Sequence, residues 1–191
     1  MKRKITILTI AFLSSGLMCA NVFAAVTGSS GNSIKWTLDD SGNLTLSGIG
    51  KMWSNGYDDS PFKDYGIKTA TIEDGITSIG GSAFMGCTGM TEMTLPNSVT
   101  SIGNHAFEGC SGLTELTLPN SVTSIGGYAF AYCSGLSKIT SLAEIPPVCG
   151  YGVFDGVNKT NCELIVPKGA VAAYKQAYGW NGFSNIRGFS E

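Results

Sequence analysis

Apolar residues recur in a fixed pattern from residue 67 onward: Ile67, Ala70, Ile72, then Met90, Met93, Leu95, then Leu113, Leu116, Leu118, then Leu136 and Ile139 with Ser141 breaking the series. The second and third members of each set sit two residues apart around a polar one, the signature of a strand with one face buried. Pro96 and Pro119 stop the strand, Asn97-Ser98 and Asn120-Ser121 turn the chain, and a second short extended stretch spans 99–102 and 122–125. A glycine-flanked Ala-Phe segment follows. It is too short for a long helix and reads as a helical or 3-10 turn that plants Phe84, Phe107 and Phe130 in the core. Residues 79–101 and 102–124 are identical at 17 of 23 positions, the pattern continues from Ile125, and it reaches back to Ile67. The chain therefore predicts a coil of 23 residues stacked about four times over residues 67–145.

Leu-x-x-Leu-x-Leu is the strand-forming core of a leucine-rich repeat. The whole unit, with Leu-Pro, then Val-Thr-Ser-Ile-Gly, then Ala-Phe, then Cys, closely resembles the repeats of the BspA-like (Treponema pallidum-type) leucine-rich repeat family. Residues 34–62 resemble the β-hairpin module that often precedes these repeats, and residues 146–186 the family's closing segment. The resemblance implies a β-rich solenoid of short parallel strands. It also implies a secreted or cell-surface bacterial protein, with adhesion and host-protein binding found in a few members.

A solenoid needs its open ends covered. Residues 25–66 read as an N-terminal β-hairpin cap: Ile34, Trp36 and Leu38 alternate, Asp39 to Gly42 turn, and Leu44 and Leu46 alternate back. Trp53, Tyr57, Phe62 and Tyr65 are expected to cover the first coil's apolar end. Residues 146–191 read as a C-terminal strand-helix cap, with a strand over 162–166, a helix over 170–178 stopped by Gly179, and Trp180, Phe183 and Ile186 folding over the last coil. Residues 1–24 read as a secretory signal peptide. Lys2, Arg3 and Lys4 precede an apolar run over 5–17, and Val22-Phe23-Ala24 predicts cleavage after Ala24. No later stretch is apolar and long enough to span a bilayer, so no membrane insertion is expected after cleavage.

Charge narrows the partner class. Beyond residue 24 the chain has nine basic and fourteen acidic residues, a net charge of −5, which gives no electrostatic footprint for nucleic acid or anionic lipid. The single histidine, His105, holds a variable repeat position matched by Ser82 and Tyr128 and reads as a solvated surface residue. No elbow motif or carboxylate orienter accompanies it, so no catalytic residue and no enzyme activity are expected. Asp39-Asp40 and Asp58-Asp59 lack the alternating oxygen ligands of a calcium loop and read as turns, so no metal and no cofactor are expected. Cys87, Cys110 and Cys133 recur every 23 residues and read as a packed column of buried thiols. Cys149 and Cys162 lie outside it, where an oxidising compartment leaves both a disulfide and free thiols open.

The outward strand positions form two columns: Thr71, Thr94, Thr117 and Thr140 beside Thr69, Glu92, Glu115 and Lys138. Threonine suits a solvated strand face by β-propensity alone. As a binding surface, four such strands present only about 300 Å², against about 800 Å² per partner in a standard interface. The expected function is a secreted or surface-exposed interaction protein for an extracellular or host macromolecule. The alternative is a structural, envelope-associated module with no ligand of its own.

Overall fold

The computed structural model describes residues 26–189 and, before them, only the backbone of Thr6–Ile7. The leader expected over residues 1–24 otherwise lies outside the described residues. In chain order the strands are β1 (Thr6–Ile7), β2 (Val26–Ser29), β3 (Ile34–Leu38), β4 (Asn43–Gly48), β5 (Gly50–Lys51), β6 (Thr69–Ile72), β7 (Ile76–Ile79), β8 (Glu92–Thr94), β9 (Ser101–Ile102), β10 (Glu115–Leu118), β11 (Ser124–Ile125), β12 (Lys138–Ser141), β13 (Val148–Cys149), β14 (Glu163–Pro167) and β15 (Asn185–Phe189), with one α-helix, α1 (Val171–Gln176), between the last two.

Two parallel faces wind along the molecule. The front consists of β4, β6 and β8 in one ladder and β10, β12, β14 and β15 in another, with the seam between β8 and β10. The back is one ladder, β5-β7-β9-β11-β13. Partners lie one repeat apart, Thr69 beside Glu92 and Ser78 beside Ser101, so equivalent sequence positions stack. After β4 the chain returns to the front six times. The repeating core thus extends at both ends beyond the four coils marked by the full motif. The hairpin's second strand already pairs parallel with the first repeat, Leu44 beside Ala70, and so acts as the first front strand.

Inward residues of the front strands form a continuous buried row: Leu44, Ala70, Met93, Leu116, Ile139 and Leu164. The back contributes Ile79, Ile102, Ile125 and Cys149. Between them runs an aromatic stack. Phe62, Phe84, Phe107, Phe130 and Phe154 are fully buried, with successive ring centroids 5.0–5.8 Å apart. Trp36 closes one end at 5.4 Å from Phe62, and Trp180 and Phe183 close the other at 5.1 and 5.3 Å from Phe154. Each buried ring contributes roughly 2–3 kcal/mol. The Ala-Phe segments are runs of turns rather than continuous helices, because alternate N–H groups bond the next coil, Phe84 to the Ala106 carbonyl at 2.7 Å and Phe107 to that of Ala129 at 2.8 Å, while those between bond three residues back.

The caps differ from the sequence reading in three places. Trp53 and Tyr57 do not cover the core; they are 43% and 67% exposed, and Met52 fills that part of the core instead. The C-terminal helix is shorter than 170–178, because Lys168–Ala170 form a 3-10 turn and Ala177 is already extended. Ile186 lies on β15, a seventh front strand that pairs along its whole length with β14.

Candidate functional site

The structure brings all eight predicted face residues onto one side of the front strands. Thr71, Glu92, Thr94, Glu115 and Thr117 are exposed, and Thr69, Lys138 and Thr140 are half-buried. The register carries both columns further than the repeats. The threonine column runs Thr27, Thr37, Thr45, Thr71, Thr94, Thr117, Thr140, then Ile165 and Arg187. The charged column runs Asn43, Thr69, Glu92, Glu115, Lys138, Glu163 and Asn185. The added residues of β3, β4 and β14 were legible as strand positions and those of β2 and β15 were not; none was legible as a member of this face, because only pairing sets that. Nine strands of about four residues present about 550 Å², nearly twice the four-coil figure.

Charges along this face are partly paired. Lys138 Nζ lies 2.7 Å from Glu115 Oε2, and Arg187 Nε 3.0 Å from Glu163 Oε1. Each pair joins an exposed group to a half-buried one at the surface, where ion pairs contribute little to stability. Glu92 is in no ion pair among the described residues. It stands one repeat from Glu115 across the seam between the two front ladders. Thr69 Oγ1 donates to Asn43 Oδ1 at 2.8 Å, tying the hairpin to the first repeat.

The other singled-out residues resolve into structural roles. Cys87, Cys110 and Cys133 are buried free thiols; the Cys110 and Cys133 thiols donate to the Phe84 and Phe107 carbonyls of the preceding coil at 3.2 and 3.1 Å. Burial pushes the Cys87 thiol up to about 12. Cys149 and Cys162 are also free and buried, one on a back strand and the other just ahead of front strand β14. Asp39 caps its own turn, accepting from the Ser41 and Asn43 N–H groups at 2.9 Å, and the bonds from Asn43 hold its carboxyl below the ordinary range. Asp58 pairs with Lys63 at 3.0 Å. His105 departs from expectation. It is not freely solvated: its Nδ1 lies 2.5 Å from Glu108 Oε2, and its ring is held between Tyr57 and Tyr128.

Short parallel strands stacked at a 23-residue repeat on an aliphatic core, with turns planting an aromatic column, define a leucine-rich repeat solenoid. Residues 57–165 match the family described as BspA type Leucine rich repeat region, in six copies, and the chain belongs to that family. Solved relatives share the fold. The Treponema pallidum leucine-rich repeat protein is 20% identical with a TM-score of 0.52, over 82% of this chain and 79% of that one. The pneumococcal vaccine antigen PcpA is 18% identical with a TM-score of 0.54, over 78% of this chain and 40% of that one. A leucine-rich repeat protein from Bacteroides ovatus is 29% identical with a TM-score of 0.50, over 65% of this chain and 30% of that one. No curated protein matches the chain. The family consists of bacterial proteins that are typically secreted or surface-located, its general role is protein–protein interaction, and solenoids of this kind are generally non-enzymatic. Among the described residues no helix is long and apolar enough to cross a membrane.

Proposed function

We propose that this protein is exported, loses its leader after Ala24, and works as an interaction module that binds an extracellular or host protein through the front strand face. One observation carries the reading. The nine-strand face built from Thr69, Thr71, Glu92, Thr94, Glu115, Thr117, Lys138, Thr140 and their in-register neighbours is solvated, regular and free of large apolar side chains over its repeat part. The strands are held by backbone ladders and by the core beneath, so their outward side chains are available to a partner without cost to the fold. The face is still smaller than a standard interface, so recognition through it alone is of moderate affinity and gains from additional contacts or avidity.

The test is a pull-down of the chain from residue 25 against extracellular host proteins and whole-cell surfaces, repeated with Glu92→Lys and Glu115→Lys. Charge reversal at the centre of the face is expected to weaken capture of a specific partner at least tenfold, the scale of like-charge juxtaposition in an interface. Capture that ignores both substitutions would remove the face from the reading. Self-association in place of partner capture would favour an envelope-assembly role.

A further inference from the structure

A second surface runs along the turn edge, where each coil passes from its back strand to the next front strand. His105 and Tyr128 hold equivalent places in consecutive coils, and their rings stack at 5.4 Å and 9°. Tyr57 meets His105 edge-on at 5.1 Å, and Tyr151 meets Tyr128 edge-on at 5.6 Å. Tyr132, four residues beyond Tyr128, makes no ring contact in the row but lies near enough to Tyr57 and Tyr128 to act electrostatically on both phenols. The outer rings face water, Tyr57, Tyr132 and Tyr151 being 67%, 59% and 70% exposed. An aromatic ridge of this kind contributes nothing to the core, whose own aromatic column lies beneath it.

The ridge is set in negative charge. Glu108, buried beneath the rings, bonds His105 and accepts from the Tyr57 hydroxyl at 3.5 Å, while Asp155 is exposed. Asp155 and the Tyr128 ring both border Gly152. The Glu108 carboxylate, first among several causes, holds the Tyr57 phenol above its ordinary range. Desolvation, then Tyr151 and Asp155, do the same to Tyr128. Lys63 is committed to Asp58.

The backbone adds an independent observation. The place of Tyr132 is filled in the other coils by Gly86, Gly109 and Gly156, all with φ of 73–76°. Tyr132 adopts φ 56°, a left-handed conformation that is an outlier for a bulky residue. Its ring is mostly in water, so burial does not explain why tyrosine replaces the glycine the coil otherwise uses. Ser82, His105 and Tyr128 are left-handed too, at a place that is left-handed in consecutive coils; what sets Tyr132 apart is that an exposed ring stands where the neighbouring coils use glycine.

We propose that the ridge Tyr57–His105–Tyr128–Tyr151, with Tyr132, is a docking site for a basic segment of a partner protein, whose arginine and lysine side chains lie on the exposed tyrosine faces and beside the exposed Asp155 carboxylate. Guanidinium stacks on aromatic faces and pairs with carboxylates at once. Neutral oligosaccharides also stack on exposed rings and can donate hydroxyls to a carboxylate, but they gain none of the ionic attraction that a basic segment does. This site is distinct from the front face, and either stands without the other.

The test titrates the chain from residue 25 with a labelled arginine- and lysine-rich peptide, its glutamate counterpart and neutral oligosaccharides. The variants are Tyr132→Gly, which restores the repeat's own residue without changing charge, Tyr57→Ala, and the front-face control Thr94→Ala/Thr117→Ala. The basic peptide is expected to bind, the glutamate peptide not. Tyr132→Gly is expected to weaken the basic peptide about tenfold with an unchanged or raised Tm, Tyr57→Ala to weaken it similarly, and the front-face variant to bind as before. No binding of the basic peptide, equal binding of the glutamate peptide, tyrosine variants that bind as tightly as the parent, or a tyrosine-dependent loss confined to an oligosaccharide would each overturn the proposal.

Discussion

Ser141 occupies the register position that Leu118 fills one coil earlier. In the sequence it interrupts the apolar pattern. In the structure it is fully buried, and its hydroxyl lies 2.7 Å from the Tyr174 hydroxyl, which donates in turn to the Ala143 carbonyl at 3.0 Å. The serine therefore belongs to a three-member chain of hydrogen bonds that fastens α1 to the last full repeat. Burial, opposed by the Ser141 bond, lifts the Tyr174 phenol to about 12, so the hydroxyl stays protonated and able to donate throughout the ordinary pH range. Tyr174→Phe keeps the ring in the core but strands the Ser141 hydroxyl and the Ala143 carbonyl. The expected loss is about 1–3 kcal/mol in urea unfolding. Adding Ser141→Val to that background removes the orphaned hydroxyl and is expected to recover part of the loss. A double variant no better than Tyr174→Phe alone would show that the ring, not the hydrogen-bond chain, holds the helix.

At the scale of elements, the seam in the front face coincides with its one like-charge step. β6 and β8 pair, β10 and β12 pair, and β8 and β10 fall in different ladders, with Glu92 and Glu115 at equivalent places on either side. Lys138 is already engaged with Glu115. Glu92→Lys places a cation beside Glu115 and beside the neutral Thr69, and is expected to raise stability by about 0.5 kcal/mol, the scale of one cross-strand pair. The gain is expected to shrink as salt rises. Glu115→Lys is expected to give no such gain, because it sets Lys138 beside a like charge. A Glu92→Lys protein less stable than the parent at low salt would separate the seam from electrostatics. Elements of this molecule were legible in the sequence where side-chain alternation marks them: Ile34-Trp36-Leu38, the Leu-x-Leu strands, and the strand of residues 163–167. β15 was not, because Asn185-Ile186-Arg187-Gly188-Phe189 carries a weak alternation and becomes a strand only by pairing with the open edge of β14. The tyrosine ridge was hidden for a related reason. His105 and Tyr128 share a column with Ser82, and Tyr57 and Tyr151 come from flanking segments whose position depends on coil register. The left-handed backbone at Tyr132 leaves no mark in the residue pattern at all.

The whole molecule is a one-dimensional stack in which each coil touches only its neighbours, so its stability is close to a sum of coil and interface contributions. The near-identity of residues 79–101 and 102–124, 17 positions of 23, makes this testable without new side chains. Deleting residues 102–124 joins Ser101 to Ile125 within the same Thr-Ser-Ile-Gly context. Phe84 then stacks on Phe130, Cys87 lies in the column before Cys133, and Ile102 gives way to Ile125 on the back ladder. The deletion also removes Glu115, which sets Glu92 beside Lys138 and replaces the like-charge step with an opposite-charge pair. The shortened chain is expected to fold cooperatively with unchanged strand content per coil, a urea m-value reduced in proportion to the surface lost, and lower total stability. Deleting 102–120 instead breaks the register of every inward column beyond the cut and is expected to abolish the cooperative transition. Far-ultraviolet circular dichroism followed through urea titration distinguishes the two. If both deletions unfold alike, the stability of this chain resides in its two caps rather than in the coil-to-coil interfaces described above.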